Sequence, residues 1–173
     1  MSKLFRPLRV GNVELQHRIV MAPLTRFRAD KDHVPLPFVT DYYAQRASVP
    51  GTMITTEATF IAPEGSGYPK VPGIWNAAQI SAWKKVTAAV HAKESFISMQ
   101  LWAIGRAASA KILQSEFGLS VKSASDIAFK GGDKPTPLTE EEILQYISLY
   151  RQVAPNAIEA GFDAVELHGA MDI

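Results

Sequence analysis

No cysteine occurs among the 173 residues. That excludes disulfides, thiolate zinc sites, thiol redox chemistry and a cysteine nucleophile, and it fits a reducing compartment. Net charge is nearly absent as well: 18 Lys and Arg face 17 Asp and Glu, a formal +1. Little field remains to hold nucleic acid or an anionic membrane, so neither is expected as a partner. No apolar run approaches the ~18 residues of a membrane-spanning helix. The start, Met1-Ser2-Lys3-Leu4-Phe5-Arg6, lacks the apolar stretch of a signal peptide. A soluble, cytoplasmic protein is the expectation. Chemical motifs are missing too. There is no G-x-G-x-x-G after a strand, no phosphate loop of the G-x-x-x-x-G-K-[ST] kind and no H-E-x-x-H. His17, His33, His91 and His168 are scattered without metal-ligand spacing, so no metal site is expected.

What is present is globular: 47% hydrophobic and 20% charged residues, in a length that suits one domain over 1–173. Gly11-Asn12 between Leu8–Val10 and Val13–Leu15 predicts a small hairpin. Ile19 to Ala22 is apolar on both faces, which predicts a fully buried strand. Phe38 to Ala47 reads as a helix, and the β-branched run Thr52 to Thr56 as a strand. Asn76 with Gln79, and Thr139 with Glu142, have the form of capping boxes. The first opens a helix with Ile80, Trp83, Val86 and Val90 at helical spacing. The second opens one with an apolar stripe of Ile143, Ile147, Tyr150, Ala154 and Ile158, ending at Gly161. Pro155 lies inside that helix and should kink or split it. Phe96 to Trp102 and Ala164 to His168 read as strands, with an irregular insertion over 103–138 between strand and helix.

Strands alternating with helices, apolar on both faces, predict a parallel sheet covered by helices. A doubly wound open sheet and a (β/α)8 barrel both fit. The missing phosphate loop argues mildly against the first. Polar residues after the strands argue for the second, because Thr25, Glu57, Gln100 and His168 would converge on one mouth. Taken alone, each has an ordinary structural reading: Thr25 as a cap, Gln100 as an exposed strand end, Trp102 as packing and His168 as a satisfied core histidine.

A set of segments runs in order from residue 4 to 170: Leu4-Phe5-Arg6-Pro7, His17 through Arg26, Tyr42 through Ala47, Pro50-Gly51-Thr52, Thr56-Glu57-Ala58, Gln100-Leu101-Trp102, Gly105-Arg106 and Ala160 through His168. Together they resemble the Old Yellow Enzyme family, the FMN-dependent NADPH dehydrogenases or ene-reductases. Val34 to Pro37 and Val71 to Trp75 look most like its fungal branch, which includes aldehyde reductases of ergot-alkaloid pathways and so suggests secondary metabolism. The resemblance implies FMN as cofactor, NADPH as reductant and an enal or enone as small-molecule substrate. It implies that backbone at Pro23 and Leu24 lies against the flavin and that the Thr25 hydroxyl bonds its carbonyl edge. Ala58 takes a backbone-contact position. The Gln100 amide reads N3 and the adjacent carbonyl, a pairing that needs one donor and one acceptor. Trp102 shapes the substrate pocket, and His168 donates a hydrogen bond to the substrate carbonyl, polarising the alkene. Glu57 receives no role.

The resemblance breaks after Ala170. Met171 stands where a second carbonyl donor, asparagine, is implied, and a thioether donates no hydrogen bond. Ile173 stands where a tyrosine proton donor is implied. The expectation is therefore the N-terminal half of a (β/α)8 barrel, about four parallel strands with an N-terminal hairpin, truncated after the fourth strand. Such a chain should be catalytically incomplete and should self-associate through exposed strand edges.

Overall fold

A computed structural model describes residues 2–169. The expectations on Met171 and Ile173 lie outside the described residues. Gly11, at φ +57°, turns the chain between β1 (Leu8–Val10) and β2 (Val13–Leu15), which pair antiparallel from Leu8–Leu15 to Val10–Val13. From there the chain alternates: β3 (Val20–Met21), α1 (Val39–Arg46), β4 (Met53–Thr55), β5 (Thr59–Phe60), α2 (Ala77–His91) and β6 (Phe96–Trp102). After α3 (Ala110–Phe117), β7 (Lys122–Ser123) and β8 (Thr136–Pro137) come α4 (Glu140–Glu159) and β9 (Ala164–Leu167).

The main sheet is five-stranded and parallel. β6 is its centre. β4 and β5 follow one another along one edge of β6, β9 lies along the other, and β3 pairs outside β4. Between the pairs Thr55–Ser98 and Thr59–Leu101 the first chain takes four steps to three on β6. One residue is therefore extra, a bulge centred on Thr56-Glu57-Ala58. Bulges re-aim side chains and increase twist.

Helices cover the sheet because their caps and apolar faces agree. α2 starts at a reciprocal capping box: the Asn76 side chain accepts from Gln79 N–H, and Gln79 Oε1 accepts from Asn76 N–H. Its Trp83, Val86 and Val90 pack with Tyr43 of α1, Ile54, Ile97 and Met99 of the sheet, and Val153, Ala157 and Phe162. Burying side chains of this size stabilises by about 1.5–3 kcal/mol each before entropy is counted. Trp83 keeps its indole N–H satisfied on the Gly73 carbonyl at 3.1 Å. Residues 103–138 contribute a second cluster, in which Leu113 of α3 and Val121 pack with Phe60, Trp102 and Ile104.

Four expectations are corrected here. The half-barrel of about four parallel strands is replaced by an α/β fold with nine strands among the described residues, seven of them in parallel pairings. β5, β7 and β8 are two residues each, too short for an apolar pattern to register. The strand read as fully buried, Ile19 to Ala22, is exposed at Ile19 and Val20, because β3 pairs only with β4 among the described residues. In α4 the buried residues are Val153 and Ala157, with Tyr146, Leu149, Tyr150 and Ala154 half-buried against the core. Ile143, Ile147 and Ile158 of the expected stripe are exposed. α4 also runs unbroken through Pro155, whose position near the C-terminal end places the lost bond in the last turns.

Candidate functional site

Because β3, β4, β6 and β9 run parallel, their C-terminal ends lie at one end of the sheet. The sequence-predicted residues all sit there. Pro23, Leu24 and Thr25 follow β3: Pro23 and Thr25 are half-buried, and Leu24 is 51% exposed. Ala58 is buried in the bulge. Gln100 and Trp102 are the buried C-terminal residues of β6. His168 follows β9, half-buried, its backbone N–H donating to the Leu101 carbonyl at 3.0 Å.

Two pairs of side chains are brought together. The His168 ring lies 5.8 Å from the Trp102 ring, tilted by 55°. Trp102 itself stacks on Phe60 at 5.3 Å, and its buried Nε1–H has no hydrogen-bond partner among the described residues. An orphan buried donor of this kind is rare and marks a place that an acceptor would relieve. The second pair is Gln100 with Glu166, which are register partners on β6 and β9. Gln100 Nε2 donates to Glu166 Oε1. A carboxylate only accepts, so this bond fixes which end of the amide is nitrogen. One amide hydrogen and the carbonyl oxygen of Gln100 remain for a ligand. That remaining set, one donor beside one acceptor, fits the alternating edge of a flavin pyrimidine ring. Pro23, Leu24 and Thr25 make no hydrogen bond to Gln100 or His168 among the described residues.

Two charged residues of the site carried no assigned role. Glu166 is one; its place opposite Gln100 becomes visible only when the pairing of β6 with β9 is known. Glu57 is the other. Its buried carboxylate accepts the Arg26 N–H at 2.9 Å, and burial pushes its pKa up to about 7. Tyr43, buried beneath it, is raised as well, by burial and by the neighbouring Glu57 charge. A pocket of about 230 Å3 opens above this carboxylate, lined by Arg26, Arg28, Phe38, Val39 and Tyr42. Among the described residues no helix is long and apolar enough to cross a membrane, and no cluster of three or more His, Asp or Glu could hold a metal ion.

The NADH:flavin oxidoreductase / NADH oxidase family matches residues 3–172. The chain belongs to that family. It is 56% identical over 170 residues to the NADP-dependent oxidoreductase lnbE of Aspergillus flavus, covering 98% of this chain and 45% of that protein. It is 57% identical over 172 residues to the chanoclavine-I aldehyde reductase fgaOx3 of Penicillium roqueforti, covering 98% and 46%. In structure it superposes on the Old Yellow Enzyme from Pichia sp. AKU4542 with a TM-score of 0.91 and 42% identity, over 96% of this chain and 46% of that one. The chain thus spans about half the length of the relatives it matches. These findings overturn the expectation of a resemblance that fails after Ala170 in a barrel truncated after its fourth strand. The family match continues to residue 172, so nearly the whole chain is family sequence.

Proposed function

We propose that this chain provides the pyrimidine-edge and substrate-carbonyl contacts of an FMN-dependent, NADPH-consuming reductase of activated C=C bonds in enals or enones. The observation that carries the reading is Gln100: a buried amide at a parallel-strand end, oriented by Glu166, with one donor and one acceptor unspent. FMN, when bound, supplies the two-electron relay between NADPH and the alkene. Thr25 would add a hydroxyl on the carbonyl edge, Pro23 and Leu24 a flat backbone surface, and Ala58 a small residue that lets the backbone approach.

His168 would donate from its ring to the substrate carbonyl, drawing electron density from the alkene. Its backbone N–H is already bonded to Leu101, which steadies the residue while the ring stays available. Trp102 would line the substrate side, its unpaired indole N–H offering a further polar contact. The aldehyde named in the Penicillium roqueforti relative supports a carbonyl-activated substrate and a role in secondary metabolism.

A second reading is a non-catalytic family member that binds a partner or itself. The apolar side chains exposed along β3 and β9, Ile19, Val20, Val165 and Leu167, favour it. Titration of the purified chain with FMN, followed by its visible spectrum after removal of free ligand, separates the two. A retained, shifted flavin band that is lost in Gln100→Ala, together with NADPH oxidation that depends on an added enal, is the outcome expected of the reductase. A colourless wild-type chain would sink that reading. Retained flavin without turnover would leave the non-catalytic one.

A further inference from the structure

Glu57 is nearly fully buried, at 2% exposure, and sits on the extra residue of the bulge between β4 and β5. Three of its polar groups are engaged. Its N–H donates to the Tyr43 Oη at 2.8 Å, its carbonyl accepts from the Thr59 hydroxyl at 3.0 Å, and its Oε2 accepts from Arg26 N–H at 2.9 Å. The Phe27 amide is directed at the same carboxylate. Phe27 holds φ +55°, the left-handed region that a bulky residue adopts only when its surroundings impose it. Consecutive amides around such a residue form a concavity that binds an anion. Here the anion is the chain's own carboxylate.

We propose that Glu57 is a positioning residue: from the bulge its carboxylate grips the Arg26 and Phe27 amides and so fixes the segment 23–27 that carries Pro23, Leu24 and Thr25. The consequence for a flavin rests on the function proposed above; the grip on the backbone does not. The carbonyls of Arg26 and Phe27 accept from Arg28 Nη1 at 3.1 and 3.4 Å, so the carboxylate's part is to hold the amide side of this loop on the less paired side of the sheet. The bulge supplies the aim, Tyr43 from α1 fixes the bulge, and the carboxylate transmits that rigidity to the neighbouring loop.

The charged and titratable groups facing this carboxylate are Arg26 and Arg28 from the loop, and Tyr42 and Tyr43 from α1, with Arg46 one turn further along that helix. The two loop arginines favour the ionised form, and burial opposes it more strongly, so the carboxylate titrates near neutrality. The ionised form is the better acceptor of two amides.

Amide hydrogen exchange on the full chain, corrected for intrinsic rates, tests this at single residues. Protection of the Arg26 and Phe27 amides should rise as pH passes through about 7. In Glu57→Gln it should be about tenfold or more lower at pH 8 and flat with pH. Glu57→Asp, which keeps the charge on a shorter arm, should restore part of the step. Should Glu57→Gln not fold, the wild-type pH profile still decides the matter. Equal protection of both amides in Glu57→Gln and wild type, or a wild-type profile without a step, would overturn the proposal. FMN titration of the same proteins keeps the two ideas apart. A wild-type chain that binds no FMN yet shows the step retains the grip and loses the flavin reading. A chain that binds FMN without the step loses the grip alone.

Discussion

Leu101 and Leu167 are the same residue type, in register on adjacent parallel strands, yet one is 0% and the other 67% exposed. β6 has partners along both edges, and every residue from Ile97 to Trp102 is buried. β9 and β3 each have one partner among the described residues and expose Val165, Leu167, Ile19 and Val20. An apolar run on both faces therefore marks a parallel strand without saying how many neighbours the strand has. Burial follows the neighbours. The candidate site straddles this divide: Ala58, Gln100 and Trp102 stand on the locked centre, and the 23–25 segment and His168 on the flanks.

The sharpest way to break the comparison is to truncate both leucines. Leu101→Ala should cost about 2–5 kcal/mol, the range for a fully buried leucine whose site collapses only in part. Leu167→Ala should stay within about 0.5 kcal/mol. Urea unfolding of the two variants measures the gap, and similar midpoints would mean that the flank is covered in solution.

The elements with strong local signals were legible without coordinates. Phe96–Trp102 was read to the residue, and the Asn76–Gln79 and Thr139–Glu142 boxes start their helices as expected. The strand ends also pointed to residues that the fold gathers at one end of the sheet. What stayed hidden depends on pairing. The two-residue strands, the bulge that turns Glu57 toward the loop, and the Glu166–Gln100 bond all exist only through registers between distant segments. In α4 the error was of another kind. Apolar residues occupy several rows of that helix, so periodicity could not tell the row of Tyr146, Tyr150, Val153 and Ala157 from that of Ile143 and Ile147.

Glu57, on the bulge beside β6, predicts a pH dependence of stability. Its folded pKa lies above the ordinary carboxyl value of 4.5, at about 7. The folded state therefore holds this proton where the unfolded state has lost it. Stability from this group is fully present below about pH 4.5, falls as pH rises to about 7, and is level beyond. The total is on the order of 3 kcal/mol for a shift of this size. Glu57→Gln should flatten that limb of a stability-against-pH curve measured by urea unfolding. Protection of the Arg26 and Phe27 amides should run the opposite way, which separates the local grip from global stability. An unchanged slope in Glu57→Gln would assign the titration elsewhere.

α4 repeats the contrast within one helix. Its C-terminal half buries Val153 and Ala157, whereas Ile143, Leu144 and Ile147 near its start are exposed. The first turns thus lean on local terms: the capping box, the Glu140–Glu142 charges at the positive end of the helix dipole, and the Lys122–Glu142 ion pair at 2.7 Å. Thr139→Ala should cost about 1 kcal/mol. Hydrogen exchange should locate the loss in residues 140–146 and leave 153–159 unchanged.

The smallest expected change in stability tests the flank most directly. Leu167 and Val165 on β9, with Ile19 and Val20 at β3, form exposed apolar edges, and edges of that kind pair with other chains. A lysine on such an edge opposes pairing without needing to be buried. Leu167→Lys should therefore leave the unfolding midpoint within about 0.5 kcal/mol of wild type, while sedimentation shows a concentration-dependent oligomer of the wild type shifted toward monomer. A wild type that stays monomeric at every concentration would remove self-association through β9. A large loss of stability in Leu167→Lys would instead show that this leucine is packed within the fold, and the division between centre and flank would fail at the register pair on which it rests.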